Sequence, residues 1–129
     1  MKTLGALCFS FLIICSVAYA QQPPPKLTTL TKAPVSGQPD KEFLLFSVEW
    51  PAGSGTPLHT HLGDEYGVVI EGAYMVKQGD QDWQTYNAGQ SWHVSAGIVH
   101  ESRNAVQTKT MNAFIVEKDK PLIHPFKKP

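Results

Sequence analysis

At 129 residues the chain suits a single domain, and nothing in its composition argues for two. Lys and Arg total 11, as do Asp and Glu. That balance gives no electrostatic reason to expect nucleic acid or anionic lipid as a partner.

The chain opens with Lys2, an almost unbroken apolar run from Leu4 to Val17, and then Ala18-Tyr19-Ala20. A positive start, an apolar centre and a small-x-small end form an export signal, and the run is short for a membrane span. We therefore expect residues 1–20 to be a signal peptide, and the protein to be exported to the periplasm or the extracellular medium. Loss of Lys2 would take the net charge from zero to one negative. Both cysteines, Cys8 and Cys15, would leave with the leader. The remaining chain then has no disulfide, and any metal site must use His and carboxylates.

Residues 21–42 are rich in Pro, Thr and Lys. Pro23-Pro24-Pro25 resists regular pairing, so the segment reads as an extended arm, with Leu27 to Thr31 able to add a short edge strand. From Phe43 the chain changes to short apolar runs punctuated by Gly, Asn, Asp and Pro. Strands are predicted at Phe43–Trp50, Thr56–His61, Glu65–Glu71, Tyr74–Gln78, Trp83–Tyr86, Ser91–Val94, Val99–Asn104 and Thr108–Glu117. No convincing 3.6-residue apolar period interrupts them, so the domain at 43–120 reads as an all-β sandwich or barrel. Gly79-Asp80, Asn87-Ala88-Gly89 and Ser95-Ala96-Gly97 read as turns, with Gly placed where positive φ is required. Pro121 and Pro125 end regular pairing. Residues 121–129 are then a C-terminal extension, able to cover a strand edge of its own domain or of a second subunit.

Three candidate ligands fall within seven residues: His59, His61 and Glu65. His59-Thr60-His61 has the two-residue period of a strand, so both imidazoles leave the same face. Leu62-Gly63-Asp64 makes a bend eased by Gly63, after which Glu65 can turn its carboxylate back toward them. A nitrogen from His100, on a distant strand, would complete the set. Such donors suit one divalent ion of iron, manganese, nickel, copper, zinc or cobalt. A single strand His is ordinarily a surface or hydrogen-bonded core residue. The pair followed by Glu shifts the balance, because a dry interior would otherwise hold uncompensated polar groups. On the same alternation Val69 should share the ligand face, whereas Asp64, Tyr66 and Val68 should not. His93 and His124 read as structural or surface residues. Trp50, Tyr66, Tyr74, Trp83, Trp92 and Phe114 read mostly as packing aromatics. Phe46, Met111 and Phe114 are candidates for a pocket mouth.

Gly53, His59, His61, Glu65 and Gly72, with intervals of five, one, three and six residues, resemble the first conserved motif of the cupin family. Gly89, Gly97, His100 and Asn104 resemble its second, with Ser95 where that motif usually has Pro. The resemblance spans Phe43 to about Val116. It implies a small antiparallel jelly-roll β-barrel, the double-stranded β-helix, with a metal held by His59, His61, Glu65 and His100. It also implies a small-molecule substrate or ligand. Our expectation is a dioxygenase-like oxidoreductase acting on an enol, phenolic or keto-acid molecule, with Glu65 serving as ligand and as catalytic proton acceptor. The alternatives are a non-catalytic binding or sensing module, a cupin isomerase, decarboxylase or sugar-modifying enzyme, or a metal that only staples the fold. Cupins commonly pair through terminal segments, so a homodimer is one expected arrangement, and a monomer with frayed ends is the other.

Overall fold

The computed structural model describes residues 24–128. The leader expected at 1–20 lies outside them. Strand alternation governs what is described, and ten strands form in chain order: β1 Lys26–Val35, β2 Gln38–Trp50, β3 Gly55–Thr60, β4 Gly63–Glu71, β5 Ala73–Gln78, β6 Gln84–Asn87, β7 Ser91–Val94, β8 His100–Arg103, β9 Thr108–Glu117 and β10 His124–Pro125. They make two five-stranded antiparallel sheets, β1-β2-β9-β4-β7 and β10-β3-β8-β5-β6. The closed barrel expected from the sequence is thus seen as two separate sheets, with no ladder joining them among the described residues. The successive strands β3, β4 and β5 cross from one sheet to the other and back. That alternation is consistent with a jelly-roll arrangement.

The Pro- and Thr-rich segment before Phe43 does more than extend. β1 pairs along β2 from Lys26↔Glu49 to Val35↔Gln38, turning at Gly37, whose φ is 76°. Its Pro34 lies on an outer strand beside a register shift, the kind of position where a sheet tolerates a residue without an N–H. The C-terminal extension also adds a strand. β10 pairs with β3 through His124↔Thr60 and Pro125↔His59, so the edge it covers is one of its own domain.

Inward positions fill the space between the sheets. Val48, Trp50, Val69, Tyr74, Val76, Trp92 and Val94 form one buried cluster, and Leu44, Phe114 and Val116 form another. Phe46 packs against both. β9 alternates strictly, with Thr108, Thr110, Asn112, Phe114 and Val116 buried. That alternation turns Met111 outward, to the opposite face of the sheet beside Leu45, Tyr66 and Val68, and away from the pocket mouth where we had expected it. Phe46 and Phe114 do line the inner cavity. Gly89 and Gly97 turn with φ of 86° and 76°, as their turn positions required.

Two inward glycines on β4 are explained by close approach. A Cβ on Gly63 would lie 1.8 Å from the Ile115 carbonyl oxygen of β9. The bend expected here falls at Leu62, and Gly63 beside it is required by close strand contact. A Cβ on Gly67 would lie 2.0 Å from the Trp92 ring. Gly67→Ala should consequently push Trp92 out of its seat and lower stability by about 1–3 kcal/mol, the usual range for overpacking. Chemical denaturation with tryptophan fluorescence checks this, and an unchanged midpoint with unchanged emission would contradict it.

Candidate metal centre

His59 and His100 are register partners on adjacent antiparallel strands, so their side chains project side by side. Their ring centroids are 4.1 Å apart. His61 follows β3 by one residue and keeps the face set by the two-residue period, its ring 4.8 Å from that of His59 and 5.0 Å from that of His100. Glu65 comes from β4 in the opposing sheet, and its Oε2 lies 3.2 Å from His61 Nε2 and 3.3 Å from His100 Nε2. The four side chains singled out in the sequence thus converge between the sheets, three from one wall and one from the other. All four are at least 95% buried.

Each ring is oriented by a backbone carbonyl. His59 Nδ1 is 2.7 Å from Pro57 O, His61 Nδ1 is 2.6 Å from Leu122 O, and His100 Nδ1 is 2.9 Å from Ile98 O. A carbonyl oxygen only accepts, so every Nδ1 must carry its proton and every neutral ring presents the Nε2 lone pair. Fixing the ring tautomer in this way is what metal-ligating histidines require. His100 Nε2 is buried with no hydrogen-bond partner; its 3.3 Å approach to Glu65 lacks hydrogen-bond alignment. The candidate donor atoms of His59, His61 and His100 lie within 4.8 Å of one another. Two donors bound at about 2.1 Å to one ion sit roughly 3.0–3.4 Å apart at right-angled to tetrahedral geometry. The Glu65–imidazole distances fall in that range, so the donor set fits one divalent ion.

Glu65 is held from behind. Its Oε1 accepts from Asn112 Nδ2 at 2.9 Å and from Trp92 Nε1 at 3.3 Å. Asn112 is aligned in turn by Thr110, whose hydroxyl donates to Asn112 Oδ1 at 2.6 Å, and Trp50 Nε1 donates to Thr110 Oγ1 at 2.9 Å. One carboxylate oxygen is therefore occupied, and the other faces the imidazoles. Burial alone would raise the Glu65 carboxyl, but His100 and His61, wherever they carry a second proton on Nε2, outweigh it and hold the group well below the usual carboxylate range. Burial also lowers His59, to about 4, with help from His100 and His61 and against the hydrogen bond at Pro57.

Other expectations fall into place around this set. Val69 is buried on the ligand face, whereas Tyr66 is exposed. Asp64 points outward, accepting from the Ala96 N–H at 2.9 Å. His93 is a surface residue stacked on Tyr66 at 4.7 Å between ring centroids. His124 is half-buried on β10, away from the imidazoles, and its Nε2 is without a partner. Trp83 lies under Arg103, 4.0 Å from the guanidinium carbon. The sequence reading missed Asn112, Thr110 and Leu122. The polar residues at inward positions of β9 were the available signal, but their purpose appears only once Glu65 stands opposite them.

The ends of the two sequence motifs are clasped together. Gly53 N–H donates to Asn104 O at 2.7 Å, and the buried Asn104 amide donates to Pro51 O and Val106 O at 2.9 and 3.1 Å. The chain belongs to the cupin domain family, whose pattern it matches over residues 46–117. Solved structures agree on the fold. KdgF from Halomonas sp. is 16% identical with a TM-score of 0.63, over 78% of this chain and 86% of that one. DMSP lyase DddQ from Ruegeria pomeroyi is 17% identical with a TM-score of 0.60, over 77% and 50%. A variant of salicylate 1,2-dioxygenase from Pseudoaminobacter salicylatoxidans, in complex with gentisate, is 17% identical with a TM-score of 0.52, over 56% and 20%. Among curated proteins no sequence match was found.

Two outcomes follow. Asn112→Leu, which removes one donor from Glu65 while keeping the side chain's bulk, should weaken Co(II) affinity by roughly 10- to 100-fold, and Thr110→Val by less. Competition against a chromogenic chelator measures both, and wild-type affinity in Asn112→Leu would refute the holding role. In metal-free protein, His59 binds its proton more weakly when folded than its ordinary value of 6.5. Its contribution to stability is therefore present above about pH 6.5 and is lost as pH falls toward 4. Thermal unfolding of the metal-free protein across that window should show a falling Tm, and a flat profile would count against a buried neutral His59.

Proposed function

We propose that the protein is a metal-dependent oxidoreductase of the dioxygenase type, acting on a small enol, phenolic or keto-acid molecule. The observation that carries this reading is the convergence of three tautomer-fixed imidazoles and one carboxylate on the wall of an apolar cavity of about 110 Å³. His59, His61, Glu65 and His100 would hold the ion. When bound, it would supply Lewis acidity and, if iron or copper, redox chemistry.

The cavity itself favours oxidation over proton-shuttling chemistry. A general acid or base needs an ionisable group within hydrogen-bond reach of substrate. The ionisable groups lining this cavity are the three imidazoles, Glu65 and Tyr74. The imidazoles are turned to the proposed ion, and Glu65 has Oε1 taken by Asn112 and Trp92. Burial pushes the Tyr74 phenol well above its usual range. This speaks for Glu65 as anionic ligand and against the additional proton-acceptor role expected from the sequence. A cavity beside the ligands also speaks against an ion that only staples the fold. The structural likeness to salicylate 1,2-dioxygenase accords with the reading.

Elemental analysis of protein purified from its native host, followed by oxygen-electrode assays with enols, phenols and keto acids, tests the proposal. Iron or copper near one equivalent, with oxygen uptake lost in His61→Ala, is the expected result. Undiminished turnover by metal-free protein would exclude it, and a bound small molecule left chemically unchanged would favour a binding module.

A further inference from the structure

Resting on the metal reading above, the lining of the cavity points to a narrower ligand class: we infer that the site takes a monoanionic, metal-binding molecule no larger than a single ring whose remainder is apolar. Three features of the wall carry this. The first is size. A cavity of about 150 Å³ lined by aliphatic and aromatic side chains accommodates benzene, so about 110 Å³ caps the buried part of a ligand at one small ring or its open-chain equivalent.

The second is polarity. Beyond the four proposed ligands the wall is made largely by Phe46, Val48, Phe114, Leu27, Leu122 and Ile123. Most of the remaining polar side chains are already engaged. Thr56 Oγ1 is 2.7 Å from Ser102 Oγ, the Asn112 amide lies between Glu65 and Thr110, and the Trp50 N–H is given to Thr110. Several hydroxyls or a second carboxylate carried into the cavity would find too few partners, and burying such groups unpaired is unfavourable. Polyhydroxylated ligands such as sugars are therefore disfavoured.

The third is charge. Three neutral imidazoles, one carboxylate and a divalent ion leave one net positive charge. A monoanionic enolate, phenolate or 2-keto carboxylate brings that sum to zero, whereas a dianion would leave an uncompensated buried charge. No Lys or Arg lines the cavity to offset it. Leu27 and Ile123 complete the wall from opposite ends of the chain, 50% and 44% exposed. They form the rim, where a substitution can change the charge of the wall without disturbing the core.

Co(II)-loaded protein provides the test, because its visible absorption reports both metal uptake and ligand binding without turnover. Tropolone, a monoanionic single-ring chelator, and malonate, a dianionic one, are titrated, and each affinity is divided by that for aqueous Co(II) in the same buffer. The normalised affinity for tropolone should exceed that for malonate by about tenfold or more, the scale on which an apolar pocket rejects a polar group. Leu27→Lys, at the exposed rim, should narrow the ratio several-fold by offering malonate a cation. If Co(II) is taken up and malonate is held as well as tropolone, or if Leu27→Lys leaves the ratio unchanged, this inference fails while the metal reading stands. If Co(II) is not taken up at all, both fall.

Discussion

Three imidazole nitrogens and a carboxylate oxygen are held face to face in an apolar interior, and the rest of the structure is arranged around that concentration of polar atoms. Buried lone pairs without donors are unfavourable, and more so where the surroundings are of low dielectric. His100 Nε2 is such an atom. Each imidazole spends its only N–H on a backbone carbonyl, so none can donate to Glu65 unless it takes up a second proton. Burial opposes that charge, as the lowered His59 shows. A cation satisfies all four groups at once, whereas protons can satisfy them only by placing charge on buried rings, which at His59 burial opposes. The sheets supply the geometry. The β3–β8 register sets two rings beside each other, and the crossing from β3 to β4 brings Glu65 from the facing wall.

The chain's ends contribute more than closure of the sheets. Leu122 offers its carbonyl to His61, while its side chain packs on the cluster of Leu44, Phe114 and Val116. Two of the ring-orienting carbonyls belong to residues two positions before their own histidine, so they come with the strand. The third arrives from 61 residues away. Docking of residues 121–126 along β3 is thus coupled to the orientation of one candidate ligand, with β10 and the Phe126 N–H to Leu58 O bond holding the segment in place.

Much of this was legible in the sequence, and for local reasons. The two-residue period of His59 and His61 gave a shared face without knowledge of any partner strand. Alternation from Glu65 placed Val69 inside and Asp64 outside. The all-β class followed from short runs and turn glycines. What was not legible depends on pairing across the fold. Residues 26–35 look unfit for a long strand until β2 is available as a template. Met111 was placed at the pocket because strand facing on β9 could not be fixed from an apolar count. Thr110 and Asn112, both inward and buried, occupy positions that local pattern would reserve for apolar side chains. They are readable only as partners of a carboxylate 47 residues away. For the same reason the sequence shows Gly63 only as part of a bend, and not as a point of close contact with β9.

The buried polar residues of β9 also bear on how chemistry is divided between protein and ion. A carboxylate with one oxygen fixed by two N–H donors keeps its charge and its position, which suits a ligand and handicaps a base. The line from Trp50 through Thr110 and Asn112 to Glu65 is satisfied at each hydrogen bond, so displacing any one member leaves a neighbour unpaired in a dry interior. Such a network trades adaptability for rigidity. The side chains around the cavity can orient and desolvate a bound molecule, but they have little capacity left to exchange protons with it. Under the proposed reading, selectivity belongs to the apolar wall and reactivity to the cation.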